Sequence, residues 1–410
     1  MVNLPADFMA ETRRIMGDEK YNRFIGAFDE EAPTSIRVNA ARGAFADGER
    51  VPWCEEGYYL ADRPQFTFDP LFHAGGYYVQ EASSMFVTHI LRSALSNHNC
   101  QLSTINCQLA LDLCAAPGGK STALRSVLPD DCVLVSNEPM GNRAQILLEN
   151  ITKWGAPNSI VTNNYPRDFK KAKLKFDMIL CDVPCSGEGM FRKDPATISE
   201  WSVQNVEKCW QLQREIVADA WECLNPGGLF IYSTCTFNTK ENEENIRWIL
   251  ENFDAEVLDI PIDPSWNITG SLLEGFDAPV YRFIPGITRG EGLFACAMRK
   301  QKGENLDFRI KSDEITKKLS KFSILTSQLE HSDIYVDVSY PEALKYLRGE
   351  ALVLPPDTPK GIVEITYKGQ PLGPAKNIGN RANNLYPKPW RIKSTHLPSE
   401  PPQVLEKVKK

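Results

Sequence analysis

The alternation of short apolar runs with helix-length segments over residues 76–300 constrains the fold most strongly. Apolar runs bounded by turn residues predict strands over 109–114, 132–137, 159–162, 176–181, 229–233 and 292–298. Strands that alternate with helices in this way form a mostly parallel sheet with helices on its faces. We therefore predict an α/β domain over 76–300.

Helices are predicted between these strands, including 141–154 and a long helix over 198–224. Asn238, followed three residues later by Glu241, predicts a capping box at the start of another helix. Since helices cover the faces of such a sheet, ligands bind in the crevice at the carboxyl ends of its strands.

Two smaller units flank this domain. Residues 1–75 begin with a helical pattern and continue with short strand-like runs between prolines, which predicts a small N-terminal α+β domain. Residues 301–345 are charged and are interpreted as a connecting subdomain. Residues 346–410 alternate short strands with turns, which predicts a small β-rich domain with a frayed tail.

Composition excludes several classes of protein. With 42% hydrophobic and 24% charged residues, and no apolar stretch long enough to cross a bilayer, the 410-residue sequence is typical of a globular protein outside the membrane. Eleven cysteines without a secretion signal indicate free thiols in a reducing cytoplasm. Only five histidines accompany them, so we expect no structural metal. We also expect a monomer.

The first predicted strand runs into a loop suited to a nucleoside ligand. The loop reads Cys114-Ala115-Ala116-Pro117-Gly118-Gly119-Lys120. Its glycines allow close approach of the backbone to a ligand, while the spaced glycines of dinucleotide-binding proteins are absent. Glu138 ends the second strand, where a carboxylate can accept both ribose hydroxyls. These features favour S-adenosylmethionine; a plain glycine turn with an exposed glutamate is the alternative.

Two cysteines follow predicted strands at the same edge of the sheet. Cys185 lies in Asp182-Val183-Pro184-Cys185-Ser186-Gly187-Glu188-Gly189, and Cys235 lies in Tyr232-Ser233-Thr234-Cys235-Thr236. Taken alone, each cysteine fits a buried structural residue better. A thiolate, however, can add to carbon 6 of a pyrimidine and make carbon 5 nucleophilic toward a methyl sulfonium. With Asp182 and the cofactor loop, the two thiols predict a catalytic pair.

These motifs resemble the Nop/Sun family of RNA 5-methylcytosine methyltransferases. The segment from Asp182 to Pro195 is most similar to the bacterial RsmF-like branch of that family. Further similarity covers Tyr78–Met85 and the stretch Asn384-Leu385-Tyr386-Pro387, so the resemblance extends over most of the chain. It implies a Rossmann-like S-adenosylmethionine-dependent core, a C-terminal PUA-like RNA-binding domain, and small-subunit (16S) ribosomal RNA or the 30S subunit as partner.

The resemblance assigns roles that spacing cannot. It implies that Cys235 attacks the cytosine and that Cys185 aids release of the product. It also implies that Asp182 contacts the base and that Lys120 lies near the reaction centre. Without the resemblance, the sequence does not show which of the two thiols is the nucleophile, because DNA cytosine methylases use a nucleophilic cysteine in a sequence that resembles Pro184-Cys185. The predicted cofactor contacts beyond the loop are Glu138, Arg143, Asn164 and Asp182.

Two positions depart from the family pattern. The family often has an aspartate after the third strand to hold the adenine amino group, whereas this chain has Asn164, which can accept that hydrogen bond. Asp168 is a weaker substitute. A histidine commonly follows the proline at position 285, and Gly286 replaces it. The second departure concerns the contacts of one loop and leaves the main chemistry intact.

RNA contacts are predicted in two regions. Arg192 and Lys193 follow the Cys185 loop and can hold phosphates beside a flipped base, or they are ordinary solvated charges. The net charge of the chain is −7, yet between 361 and 393 a single acid stands against six bases. Phosphate contact and base stacking in this C-terminal region are predicted for Lys376, Arg381, Tyr386 and Trp390. A β-rich lid without RNA contact is the alternative.

Three functions fit the sequence. The leading hypothesis is S-adenosylmethionine-dependent methylation of carbon 5 of a cytosine in RNA. Methylation of an amino group (N4 of cytosine or N6 of adenine) needs no thiol and favours an Asp/Asn-Pro-Pro-aromatic loop, which this chain replaces with Pro184-Cys185. An RNA-binding ribosome assembly factor without activity is the third, and the intact Cys185, Cys235, Asp182 and Lys120 argue against it.

Overall fold

A computed structural model describes residues 3–96, 107–301, 317–327, 329 and 332–408. Its helices include α1 (Ala6–Gly26), α2 (Pro70–His73), α3 (Phe86–Leu95), α4 (Gly119–Arg125), α5 (Gly141–Trp154), α6 (Pro166–Lys171), α7 (Ala196–Glu200), α8 (Val203–Glu222), α9 (Glu243–Asn252) and α10 (Tyr340–Leu347). No helix in these ranges is long and apolar enough to span a membrane.

The strands of the described residues form four sheets. They are β1 (Thr34–Val38), β2 (Ala44–Phe45), β3 (Glu49–Arg50), β4 (Gly57–Leu60), β5 (Tyr77–Val79), β6 (Leu109–Asp112), β7 (Val133–Asn137), β8 (Ser159–Thr162), β9 (Phe176–Asp182), β10 (Leu224–Thr234), β11 (Ala255–Val257), β12 (Tyr281–Phe283), β13 (Leu293–Lys300), β14 (Ile324–Leu325), β15 (Tyr335–Asp337), β16 (Gly361–Tyr367), β17 (Gln370–Asn377), β18 (Ala382–Asn384) and β19 (Lys407–Val408). Nine of them belong to one central sheet.

The central sheet confirms the predicted α/β fold. Its order is β11-β13-β10-β9-β6-β7-β8-β14, with β12 paired to β13. The five strands β10, β9, β6, β7 and β8 run parallel, and the flanking strands are antiparallel. The chain proceeds from β6 to β7 and β8 on one side, and then crosses to β9 and β10 on the other. This reversal opens a ligand crevice between the carboxyl ends of β6 and β9.

The sheet forms because its strands are apolar on both faces. Along β6, Leu109 and Leu111 pack with α8 and α9, while Ala110 packs with α3 and α4 on the opposite face. Met178 and Ile179 of β9 divide between the same two cores. Burying each large aliphatic side chain contributes roughly 1.5–3 kcal/mol, so both layers of helices are held firmly against the sheet.

Most predicted elements form, and two expectations are wrong. The strand β8 and the helix α5 have the predicted bounds. The long helix predicted over 198–224 is two helices, because Ser202 caps α8 by accepting a hydrogen bond from Asn205 N (3.1 Å). The capping box predicted at Asn238 does not start a helix, since α9 begins at Glu243.

The two ends of the chain build one shared core. The sheet β3-β4-β1-β5 at the N-terminus and the sheet β15-β16-β17-β18 near the C-terminus contribute to a single apolar cluster, which includes Ile36, Tyr58, Tyr346 and Ile365. The last described strand, β19, pairs with β2. The C-terminal unit is therefore packed against the N-terminal one.

Helix α1 packs directly behind the two cysteine loops. Phe8 lies 5.1 Å from Phe191, and Phe24 lies 4.9 Å from Phe237, between ring centroids. At Gly286, an added Cβ would lie 2.2 Å from the carbonyl oxygen of Arg23 in α1. Any larger residue at position 286 would therefore require α1 to move, so the close packing of α1 here depends on glycine.

A buried ion pair joins Arg282 in β12 to Glu243 at the start of α9. Arg282 and Glu243 are at most 1% exposed, and Arg282 Nε donates to Glu243 Oε1 (2.7 Å) while Nη2 pairs with Oε2. The guanidinium also donates to the carbonyl oxygen of Phe237 (2.8 Å). Both charges are fully paired, so the loop after Cys235 is anchored from below.

We expect Arg282→Met to lower the free energy of unfolding by about 3–5 kcal/mol, because it leaves the Glu243 carboxylate buried without its partner. Urea denaturation measures the change. As a control, Arg13→Met removes an exposed arginine whose pair with Asp18 is open to solvent, and should change stability by less than about 1 kcal/mol. Equal losses in the two variants would contradict the assignment.

Candidate active site

The two predicted cysteines meet at the carboxyl edge of the sheet. β9 and β10 are parallel neighbours in which Asp182 pairs with Ser233, so the loops after them start side by side. The Sγ atoms of Cys185 and Cys235 lie 3.3 Å apart, and both are free, partly exposed thiols. The structure thus joins residues that are fifty positions apart in sequence.

An ion pair lies beside the thiols. Lys120, at the start of α4, donates from Nζ to Asp182 Oδ2 (2.8 Å), and Ser233 Oγ donates to Oδ1 (2.6 Å). The two charged side chains are 16% and 27% exposed. Burial alone would lower the pKa of Lys120, but the charge and hydrogen bond of Asp182 raise it overall, so the ammonium stays charged.

The environment distinguishes the two thiols. A hydrogen bond from Cys185 lowers the pKa of Cys235, and the Lys120 charge acts in the same direction against burial and Asp182. The same hydrogen bond, with burial, raises the pKa of Cys185 well above its usual range. These opposite directions favour Cys235 over Cys185 as the thiolate of the pair.

A second part of the crevice lies at the ends of β6, β7 and β8. The buried polar atoms there that make no hydrogen bond within the described residues include Asp112 Oδ1, Glu138 Oε2 and Asn164 Nδ2. Burial raises the pKa of Asp112 to about 7. Buried polar atoms normally have a hydrogen-bond partner, so a group of them without one indicates where a polar ligand binds. Asp112 was missed by sequence reasoning, although an acid within an apolar strand was a usable signal.

The predicted cofactor loop borders these atoms. Gly118 has φ +112°, and a Cβ on Gly119 would lie 3.3 Å from the Tyr78 ring. Arg143 donates to the carbonyl oxygen of Ala116 (3.0 Å) and lies 3.3 Å from Glu138 Oε2. Asp168 is not part of this arrangement, since its carboxylate caps α6 through Tyr165 N (3.0 Å).

Sequence reasoning also missed a buried polar network beneath the thiols. Its members are Ser186, Glu188, Gln213, Asn238 and Glu241. Burial, with the neighbouring Glu188 charge, raises the pKa of Glu241 to about 7. The spacing of Asn238 and Glu241 was visible, but it resembles a helix cap and was interpreted as one.

Two of the residues predicted to contact RNA are engaged by other side chains of the protein. The Arg192 side chain is 8% exposed and donates to the buried Glu291 carboxylate (2.9 Å), so it holds the loop. Tyr386 is 2% exposed and packs against Tyr346, so its ring cannot stack on a base. The buried Tyr386 ring contradicts its predicted stacking role, whereas the contact of the partly exposed Arg192 with phosphate stays a prediction.

The other predicted RNA contacts are accessible. Lys193, Lys376 and Arg381 are exposed, and Trp390 is partly buried against Tyr386. Lys193 follows the Cys185 loop, whereas Lys376 and Arg381 lie on or beside the C-terminal strands β17 and β18. The structure therefore leaves one exposed positive charge after the Cys185 loop and two more on the C-terminal unit.

Comparison with protein families gives matches along most of the chain. Residues 100–299 match 16S rRNA methyltransferase RsmB/F. Residues 4–82 match the N-terminal domain of 16S rRNA methyltransferase RsmF. Residues 335–392 match the methyltransferase RsmF PUA domain.

Individual relatives agree with these matches. The chain is 36% identical to ribosomal RNA small subunit methyltransferase F of Pectobacterium atrosepticum, over 73% of this chain and 63% of the relative. It is 32% identical to the protein of the same name from Aliivibrio fischeri, over 78% of this chain and 67% of the relative. A solved structure of a methyltransferase homolog protein from Pyrococcus horikoshii is similar at 27% identity and a TM-score of 0.57. The similarity covers 72% of this chain and 100% of that protein. The chain spans less than two thirds of the length of the first relative.

The thiol geometry predicts which cysteine reacts first with an alkylating agent. Iodoacetamide should modify Cys235 at lower pH than Cys185, because the pKa of Cys235 is lowered and that of Cys185 is raised. In Cys185→Ala the Cys235 profile should move to higher pH, since that variant lacks the hydrogen bond that stabilises the thiolate. Peptide mass spectrometry at a series of pH values measures both profiles.

A matched control is Cys209→Ala on α8, which should leave the Cys235 profile unchanged. Burial raises the pKa of Cys209 to about 11. An unshifted Cys235 profile in Cys185→Ala would refute the effect of Cys185 on the pKa of Cys235.

Proposed function

This chain belongs to the RsmB/F family of 16S rRNA methyltransferases, and on that premise we propose that it methylates carbon 5 of a cytosine in small-subunit ribosomal RNA. The observation that carries the proposal is the pair of thiols 3.3 Å apart beside the Lys120–Asp182 ion pair. Methylation of an amino group would need neither thiol, so the geometry favours carbon 5.

S-adenosylmethionine is the proposed cofactor, and the residues present fit it. Glu138 would hold the ribose, Asn164 the adenine, and the backbone around Gly118 would allow close approach of the ligand. Glu138 Oε2 accepts no hydrogen bond within the described residues and is paired only with the half-exposed Arg143, so it would accept from the ribose hydroxyls. The expectation that Asn164 accepts from the adenine amino group needs correction, because its Oδ1 already accepts from Ser323 N (3.4 Å) and its unpartnered Nδ2 would instead donate to an adenine ring nitrogen. When bound, the cofactor supplies an electrophilic methyl group.

Cys235 is proposed to begin the reaction as a thiolate. Its Sγ forms a bond to carbon 6 of a cytosine that is flipped out or single-stranded, and the ring electrons move to N3. The Lys120–Asp182 pair, which addresses the base, supplies the proton that N3 takes up. The ring is then an enamine whose carbon 5 can accept the methyl group.

Cys185 is proposed to complete the reaction. Once Cys235 is bonded to carbon 6 it is a neutral thioether, so the main cause of the raised pKa of Cys185 is removed. Cys185 can then lose its proton to water and take the proton from carbon 5. As the ring double bond is restored, the Cys235–carbon 6 bond breaks and regenerates the Cys235 thiolate. N3 returns its proton to the Lys120–Asp182 pair, which leaves neutral 5-methylcytosine and the ion pair as it began.

We expect Cys235→Ala to form neither 5-methylcytosine nor an RNA adduct, whereas Cys185→Ala should accumulate a protein–RNA adduct that survives denaturation. Unmodified 16S rRNA and 30S subunits, each with S-adenosylmethionine, are the substrates. Nucleoside mass spectrometry measures the product, and denaturing gels measure the adduct. Cys209→Ala should behave as wild type. Full activity of Cys235→Ala would exclude this mechanism.

The C-terminal unit is proposed to contact RNA through Lys376 and Arg381, a role supported by its match to the PUA domain. Replacing both with glutamate should weaken RNA binding several-fold, and should reduce the slope of log affinity against log salt by about 0.7 for each phosphate that the variant no longer neutralises. Filter binding at several salt concentrations measures both quantities. Lys376→Glu and Arg381→Glu are also measured singly, and Lys208→Glu, an exposed charge reversal of the same size on α8, is the control for each single variant. An unchanged slope in the double variant would exclude these contacts.

A further inference from the structure

Two buried glutamates connect the loops that carry the thiols. Glu188 belongs to the Cys185 loop, and Glu241 belongs to the segment after Cys235; both are at most 1% exposed. Each carboxylate accepts hydrogen bonds from the backbone of the other loop. Each loop is thus hydrogen-bonded to the glutamate of the other loop.

Glu188 holds the segment that follows Cys235. Its Oε2 accepts hydrogen bonds from Phe237 N (2.6 Å) and Asn238 N (3.0 Å). Next to it, Gly189 N donates to the carbonyl oxygen of Cys235 itself (2.7 Å). A Cβ at Gly189 would lie 2.6 Å from that oxygen, so only glycine permits this contact. The position of Cys235 therefore depends on the Glu188–Gly189 turn.

Glu241 holds both sides of Cys185. Its Oε2 accepts from Ser186 N (3.0 Å), and its Oε1 accepts from Ser186 Oγ (2.5 Å). Gln213 Nε2 donates to Glu241 Oε2 (2.7 Å) and to the carbonyl oxygen of Pro184 (2.9 Å). The residues before and after Cys185 are therefore both tied to one carboxylate.

The two carboxylates are also linked to each other. Asn238 Nδ2 donates to Glu188 Oε1 (3.0 Å) and to Glu241 Oε1 (2.8 Å). Within the described residues neither carboxylate is hydrogen-bonded to a thiol, although the charge of Glu241 acts to raise the pKa of both. Each carboxylate holds a loop in place, and misplacing a reacting group by about 1 Å can cost on the order of 100-fold in rate.

We propose that Glu188 and Glu241 are positioning residues with separate tasks, in which Glu188 fixes Cys235 for attack and Glu241 fixes Cys185 for release. This inference rests on the proposed function, since it divides the two thiol steps between the two carboxylates. The side chains of both residues lie in the same buried network, so a merely structural role would impair both steps alike.

The test compares Glu188→Gln and Glu241→Gln in single turnovers on unmodified 16S rRNA with S-adenosylmethionine, following adduct formation and adduct decay separately. Glu241→Gln should form the adduct at the wild-type rate and release it about 10-fold or more slowly, so that adduct accumulates. Glu188→Gln should form the adduct about 10-fold or more slowly and release it normally. Glu251→Gln, an exposed change on α9, should match wild type.

Equal slowing of both steps in both variants, or no change in either, would overturn the inference. If Glu241→Gln fails to fold, Gln213→Leu keeps the test open, because it removes the tie to Pro184 and leaves the carboxylate in place; it should slow release alone. Failure of the proposed function is distinguishable, since it would appear as the absence of any adduct in wild type and in Cys185→Ala.

Discussion

The parallel register of β9 and β10 is the constraint on which the site depends. Because Asp182 pairs with Ser233, the loops that follow these strands leave the sheet side by side, and their cysteines meet at 3.3 Å. A slip of one residue would turn Asp182 to the other face of the sheet and break its contact with Lys120. The backbone pairing of β9 and β10 thus determines which side chains lie next to each other in the site.

Packing from outside the sheet preserves this geometry. Helix α1 covers the loops through Phe8 and Phe24, and the buried Arg282–Glu243 pair anchors the segment after Cys235. The N-terminal and C-terminal units in turn share one apolar core. The N-terminal unit, through α1, therefore helps to hold the loops that carry the two thiols.

Several features were predictable because they depend on local pattern. Apolar alternation indicated the bounds of β8 and α5, and the motifs around Cys185 and Cys235 indicated the family, which the family matches confirm. Predictions failed where a side chain had two plausible uses. Asn238 resembles a helix cap but joins a buried network, and Tyr386 resembles a stacking platform but is 2% exposed.

By itself, the sequence determined the α/β class, the cofactor loop and the types of residue at the strand ends, because hydrophobic period and turn chemistry are local properties. Only the tertiary structure creates the environment that lowers the pKa of Cys235 and raises that of Cys185. That environment depends on the distance between Cys185 and Cys235 and on the charge of Lys120, and these three residues come together only when three strand ends meet. Electrostatic coupling follows distance in space, which the order of residues does not contain.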